Sequence, residues 1–130
     1  MKRIGILMIA LMLMSIFGYS QKAEVLYFKA ELACCQARAC DAIENDVKEV
    51  VEKNFNGETV IFKEIKLADA ANKEIIEKHK AKSQTVVIVS KKNKNETVVD
   101  ISPLIRKYSR SQNKAEFESE LIAKINETIK

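Results

Sequence analysis

The chain has 130 residues, of which 31% are charged, with 22 basic and 18 acidic side chains and a formal net charge of +4. Charges of both signs are interleaved, and the one basic cluster, Lys91–Asn95, contains no aromatic residue. This pattern excludes the clustered basic and aromatic composition of a nucleic-acid-binding domain, so we expect no nucleic-acid partner.

The first twenty residues have the pattern of a secretory signal. Met1–Arg3 is basic, Ile4–Phe17 is apolar and uncharged, and Gly18 and Ser20 are small residues where a signal peptidase would cut. The apolar run is shorter than the roughly 18–20 residues of a membrane span. We expect residues 1–20 to be a cleaved signal peptide, with a retained anchor as the alternative. Residues 21–130 would then form one exported domain, periplasmic or secreted, monomeric and without a membrane span.

The rest of the chain alternates between strand and helix patterns. The predicted elements are, in order, a buried strand at Val25–Ala30, a helix continuing from Cys40 towards Gly57, a strand at Thr59–Leu67, a short helix capped by Asp69, two strands at Thr85–Val89 and Glu96–Ile101, and a final amphipathic helix from about Lys114. The basic cluster would be the turn of a hairpin, and Pro103 would lie in the link before the last helix. The order β-α-β-α-β-β-α predicts an α/β fold with a four-stranded mixed sheet and helices on both faces.

All three cysteines lie in the stretch ACCQARAC, between the first predicted strand and the first predicted helix. Export would place them in an oxidising compartment, where thiols tend to pair. A bridge between neighbouring cysteines is strained, so pairing of Cys34 or Cys35 with Cys40 is favoured and would leave one odd thiol. The cluster therefore suits thiol exchange, a structural disulfide, or binding of a soft ion such as Cu(I) or trivalent arsenic by three thiolates.

The start of the first helix decides whether Cys40 can pair. Residues five apart in a regular helix have Cα atoms about 8–9 Å apart, whereas a disulfide needs less than about 7 Å. Asp41 and Glu44 have the spacing of a capping box, which favours a helix that begins after Cys40 and a loop before it. The alternative is a helix from about Gln36, because QARA is helix-friendly. We favour the loop.

In either case, Cys34 and Cys35 lie near a helix N-terminus and near Arg38, which both favour the thiolate and predict a lowered thiol pKa, while Glu31 and Asp41 oppose this. The single histidine, His79, is expected to be a packing residue of the second helix and not a metal ligand or a base.

This element order, with cysteines where the first strand meets the first helix, resembles the thioredoxin fold over nearly all of Ala23–Lys130, most closely at Asp69–Val89. Five shorter stretches resemble the exported ArsF family, labelled nitrophenyl compound nitroreductase subunit: Tyr27-Phe28, Cys34, Cys40–Glu44, Ser83–Thr85 and Tyr108–Phe117. No flavin or nicotinamide signature is present, so we expect no cofactor and infer no nitro reduction.

The resemblance implies thiol-disulfide exchange with protein partners. Cys34 or Cys35 would be the nucleophile and Cys40 the resolving thiol. Thr85, at the position of the thioredoxin cis-proline, would offer backbone groups to a partner strand. The chain departs from this group by having C-x4-C and C-x5-C spacings in place of C-x-x-C, since Ala37 stands three residues before Cys40. A non-catalytic interaction domain with a structural disulfide is a further alternative.

Overall fold

A computed structural model describes residues 22–31, 34–92 and 95–130, with only the backbone for residues 34–37 and 92. The predicted signal peptide lies outside the described residues. The elements are β1 (Ala23–Lys29), α1 (Cys34–Asn54), β2 (Val60–Lys66), a 3-10 turn (Ala70–Asn72), α2 (Lys73–His79), β3 (Val86–Lys92), β4 (Asn95–Asp100), α3 (Ser102–Ser111) and α4 (Lys114–Ile129). No helix in this part of the chain is both long enough and apolar enough to cross a membrane.

The four strands form one mixed sheet in the order β2-β1-β3-β4. β1 runs parallel to β2 and antiparallel to β3, and β3 runs antiparallel to β4. A parallel pair needs a long crossover, which α1 supplies, whereas the antiparallel pair β3–β4 needs only a short turn. The predicted α/β class with a four-stranded mixed sheet is confirmed.

Helices cover both faces of the sheet. On one face, Val25 and Tyr27 of β1 belong to a buried cluster with residues of α1, α3 and α4, among them Val47, Val50, Val51, Ile105, Phe117, Leu121 and Ile125. On the other face, Leu26 and Phe28 pack with strand neighbours and with Ile75 and Ile76 of α2. Because β1 is buried on both faces, its sequence is a nearly continuous apolar run instead of an alternating one.

The segment around Pro103 differs from the prediction, because it forms the helix α3 where the sequence predicted a link. Pro103 lies in the first turn of α3, where its missing N–H leaves no helical hydrogen bond unmade. The Asp100 carboxylate accepts a 2.8 Å hydrogen bond from the Ser102 N–H at the same helix start. The predicted link between β4 and the final helix is therefore wrong, since α3 occupies this segment, while the final helix itself begins at Lys114 as predicted.

The short helix after β2 has the predicted cap. The Asp69 carboxylate accepts a 3.0 Å hydrogen bond from the Ala71 N–H, at the start of the 3-10 turn that leads into α2. The four strands and α4 also fall on their predicted segments, with ends that differ by a few residues.

Candidate thiol site

The first helix begins at Cys34, so all three cysteines belong to α1. The preferred interpretation, a loop up to Cys40 followed by a helix capped by Asp41, is wrong. The helix even begins before Gln36, the start that the alternative assumed. Asp41 lies inside α1, and its carboxylate forms an ion pair with Lys29 of β1 at 2.6 Å. The Asp41 side chain, which the local pattern predicted to cap a helix, thus pairs with a residue of another element instead.

The helical backbone separates Cys40 from the other two cysteines. In a regular helix the Cα atoms of Cys35 and Cys40 are about 9 Å apart and those of Cys34 and Cys40 about 10 Å, beyond the roughly 7 Å that a disulfide tolerates. The side chains of Cys34 and Cys35 lie outside the described part of the structure. Pairing of either cysteine with Cys40 would require the first turns of α1 to open.

Cys40 is a buried free thiol, 6% exposed, at the inner side of α1. Its sulfur accepts a 2.8 Å hydrogen bond from the side-chain amide of Gln84. Its carbonyl oxygen accepts a long hydrogen bond, 3.4 Å, from the hydroxyl of Tyr27 in β1. Burial, and then the nearby Cys40 and Glu44, raise the pKa of Tyr27 well above its ordinary value, so this hydroxyl keeps its proton. Two other elements therefore hold Cys40 in place.

Gln84 belongs to the turn that precedes β3, and its backbone is left-handed with φ 61°. Two hydrogen bonds tie this turn to Phe28 of β1: the Gln84 N–H donates to the Phe28 carbonyl (3.1 Å), and the Phe28 N–H donates to the Thr85 carbonyl (2.9 Å). Left-handed backbone is unfavourable for a residue with a Cβ atom, and such residues are often held in place at functional sites. The fold thus fixes the amide of Gln84 against the sulfur of Cys40.

Thr85 lies next to this contact and is half-buried. Its N–H donates to the Lys82 carbonyl (3.0 Å), its carbonyl accepts from Phe28, and its hydroxyl accepts from the Lys82 N–H (2.9 Å). These bonds occupy its backbone groups within the chain. A partner strand, as the resemblance implied, would have to share the carbonyl or displace an internal bond.

A cluster of charged side chains lies beside Cys40. Lys29 forms ion pairs with Asp41 (2.6 Å) and with Glu44 (2.9 Å), and Glu44 is buried. Burial raises the pKa of Glu44 and the nearby Glu64 raises it further, while the hydrogen bond from Lys29 lowers it. The hydrogen bonds to Asp41 and Glu44 raise the pKa of Lys29 in turn. The cluster therefore keeps Lys29 positively charged, and this one ammonium group pairs with both the Asp41 and the Glu44 carboxylates.

An open cleft of about 450 Å³ adjoins this cluster. Its lining residues are Lys29, Ala30, Glu31, Cys40, Asp41, Glu64, Lys66 and Ala68. Arg38, predicted to support the thiolates, is exposed and does not line the cleft. The cleft therefore places charges of both signs beside Cys40.

The described side chains do not form a metal centre, since no three His, Cys, Asp or Glu residues among them are arranged to hold an ion. A centre made of all three cysteines involves side chains outside the described part. The helical backbone opposes it, because Cys40 lies about 9–10 Å from the other two along α1. His79 packs against the ring of Phe28, with ring centroids 5.9 Å apart, and burial, then Lys78, lowers its pKa.

The sequence did not indicate Gln84, Lys29, Glu44 or Glu64 as parts of the site. Gln84 occurs in the stretch Ser83–Thr85 and Glu44 in the stretch Cys40–Glu44, which both resemble the ArsF family, and Glu44 is also half of the predicted capping box, but the sequence predicted no contact of either residue with the site. The signal for Glu44 was its position four residues after Cys40, which places the two on one side of a helix. Gln84 has no local signal, because it meets Cys40 across 44 residues of chain.

Comparisons of the chain with protein-family models, with curated proteins and with solved structures gave no match.

Proposed function

We propose that this protein is an exported thioredoxin-like protein that exchanges thiols and disulfides with protein partners. The observation that carries the proposal is the position of the three cysteines. Two open the helix that directly follows the central strand β1, and the third packs against the turn before β3.

The sheet topology supports the proposed fold. A parallel pair joined through a helix, then an antiparallel hairpin, with helices on both faces, is the arrangement that the resemblance to thioredoxin implied. The predicted signal peptide supports export, and an oxidising compartment would supply disulfide substrates.

Cys34 or Cys35 is the proposed nucleophile. At the first turn of a 21-residue helix, the unpaired N–H groups and the helix dipole favour a thiolate over a thiol. The thiolate attacks one sulfur of a partner disulfide, a new S–S bond joins the cysteine to the partner, and the displaced sulfur leaves as a thiolate. A second thiolate then attacks this mixed disulfide and forms a new S–S bond with the sulfur that it attacks, while the other sulfur leaves as a thiolate. Each step thus breaks one S–S bond and forms one.

Reduction of insulin in the presence of a small thiol tests the proposal. We expect the double variant Cys34→Ser/Cys35→Ser to lose the activity that the wild type shows over the uncatalysed rate, and one of the two single variants to retain it. Lys53→Ser, an exposed change at the far end of the same helix, is the matched control. If the double variant reduces insulin as fast as the wild type, or the wild type adds nothing, the proposal is wrong.

The alternative of a soft-ion carrier has less support, because the regular helix keeps the three thiols from a common point. It predicts a tight 1:1 complex with Cu(I) that all three cysteines are needed to form. Titration of the reduced protein against a competing Cu(I) chelator separates the two functions.

A further inference from the structure

Cys40 is held in place by contacts that do not involve the other two cysteines. Its sulfur bonds to the Gln84 amide, its carbonyl bonds to Tyr27, and its exposed fraction is 6%. Reaching Cys34 or Cys35 would require it to break the contact with Gln84 and to unwind the turns of α1 between them. Each of these hydrogen bonds opposes that movement, and the helical ones must be broken together.

Gln84 is unusual because its backbone conformation is unfavourable while its side chain makes a specific contact. A glycine at this position would adopt φ 61° without strain. A glutamine at this position is strained, but only the glutamine has a side-chain amide that can donate to the thiol of Cys40. The contact holds the sulfur in one rotamer, in a residue that is 6% exposed and that borders the cleft beside Lys29.

We infer that Gln84 withholds Cys40 from thiol exchange, so that the mixed disulfide formed at the start of α1 is resolved by an external thiol. The inference deepens the function proposed above and rests on it for the exchange step. In this inference, Gln84 is a positioning residue. The second substrate is a free thiol, either a small compound or a cysteine of another protein.

The electron balance of this route needs no internal disulfide. The thiolate of Cys34 or Cys35 takes one sulfur of the substrate disulfide and releases the other as a thiolate. The external thiolate then attacks the substrate sulfur of the mixed disulfide, forms a new disulfide with it and returns the cysteine as a thiolate. A second external thiolate attacks that new disulfide and releases the substrate sulfur as a thiolate, so two external thiols are oxidised to a disulfide and Cys40 takes no part.

Peptide mapping tests this, because trypsin separates the cysteines by cutting after Lys29, Arg38 and Lys48. Cys34 and Cys35 then lie on the fragment Ala30–Arg38, and Cys40 lies on Ala39–Lys48. The reduced wild type is treated with bis(2-hydroxyethyl) disulfide, quenched with acid and digested. We expect the mercaptoethanol adduct on the first fragment, unmodified Cys40 on the second, and no disulfide between the two fragments.

Variants at position 84 test the role of the amide. In Gln84→Ala and in Gln84→Gly, we expect iodoacetamide to label Cys40 about fivefold faster or more, as loss of one hydrogen bond allows. The glycine variant should melt at a higher temperature than the alanine variant, because only glycine relieves the left-handed strain. If the two variants label Cys40 at the same rate although they melt at different temperatures, then the loss of the amide, and not a general loss of stability, sets the labelling rate of Cys40. Ser83→Ala, an exposed change in the same turn, is the control.

The outcomes separate the inference from the proposed function. A disulfide between the two fragments in the wild type, or one within the first fragment, overturns the inference and leaves thiol exchange in place. Labelling of Cys40 that stays at the wild-type rate in both Gln84 variants also overturns it. If Cys34 and Cys35 form neither an adduct nor a disulfide, the proposed function fails, and the labelling rates still decide the role of Gln84.

Discussion

The hydroxyl of Tyr108 in α3 donates a 2.7 Å hydrogen bond to the carboxylate of Asp46 in α1. The ring of Tyr108 also stacks on Phe117 of α4, with centroids 4.2 Å apart and planes inclined by 11°. The hydrogen bond to Asp46, and then burial, raise the pKa of Tyr108. One side chain thus connects the three helices that cover this face of the sheet.

Tyr108→Phe removes the hydrogen bond and keeps the stacked ring. We expect it to lower the free energy of unfolding by about 1–2 kcal/mol, since the acceptor is a carboxylate. Tyr108→Ala also removes the ring and should cost about 3–5 kcal/mol. Urea denaturation measures both changes. A phenylalanine variant as stable as the wild type would show that the bond to Asp46 adds no net stability.

Ser102 links the start of α3 to the sheet, because its hydroxyl accepts a 3.0 Å hydrogen bond from the N–H of buried Val86. Ser102→Ala would leave that N–H buried without this partner, so we expect a loss of about 1–3 kcal/mol in the free energy of unfolding. Ser109→Ala, an exposed change in the same helix, should stay within about 0.5 kcal/mol of the wild type. Similar losses in both variants would count against this role of the Ser102 hydroxyl.

Glu44 should make stability depend on pH. Its pKa is raised in the folded protein by burial and by Glu64, against the effect of Lys29, so the unfolded chain gives up this proton at a lower pH than the folded one. The contribution of Glu44 to the free energy of unfolding is therefore fully present below its ordinary pKa of 4.5, and it is lost as the pH rises through the higher pKa of the folded protein.

In Glu44→Gln this contribution is absent. We expect the free energy of unfolding of the variant, relative to the wild type, to increase as the pH rises from about 4 to about 7. Denaturation curves across this range measure the difference, with Glu49→Gln, an exposed change on the same helix, as control. Parallel pH profiles for Glu44→Gln and the wild type would contradict the raised pKa.

Lys80 ends α2 in a left-handed conformation, with φ 49°. Lys80→Gly should raise the free energy of unfolding by about 0.5–1 kcal/mol, because glycine adopts this conformation without strain, although it adds entropy to the unfolded chain. Glu77→Gly, within the same helix, should lower it by about 1 kcal/mol. Thermal melts compare the two, and a Lys80→Gly protein that melts below the wild type would refute the expectation.

The sequence predicted the parts of the fold that local pattern determines. The apolar runs of β1 and β3 and the four-residue spacing of Phe117, Leu121 and Ile125 in α4 are strong periodic signals, and the structure agrees with them. The sequence did not predict α3 because the segment is short and largely polar, and because a proline is compatible with the start of a helix as well as with a link.

The candidate site was less predictable, because contacts between elements determine it. The local sequence predicts Asp41 as a helix cap and contains no signal for its ion pair with Lys29 on a separate strand. The contact of Gln84 with Cys40 depends on how the turn before β3 meets α1. Local propensity describes single elements and contains no information on which of them will be neighbours.

The central position of β1 has a consequence for the order in which the molecule assembles. β1 is the earliest of the described strands in the chain, yet Ala23 pairs with Val60 on one side and with Ser90 on the other. β3 and β4 are close in sequence, so their hairpin closes a short loop and can form early. During synthesis, the apolar run Val25–Phe28 has no strand to pair with until β2 has been made, and its second edge stays open until β3 has been made. Over this interval it is an exposed, aggregation-prone segment that a chaperone could recognise.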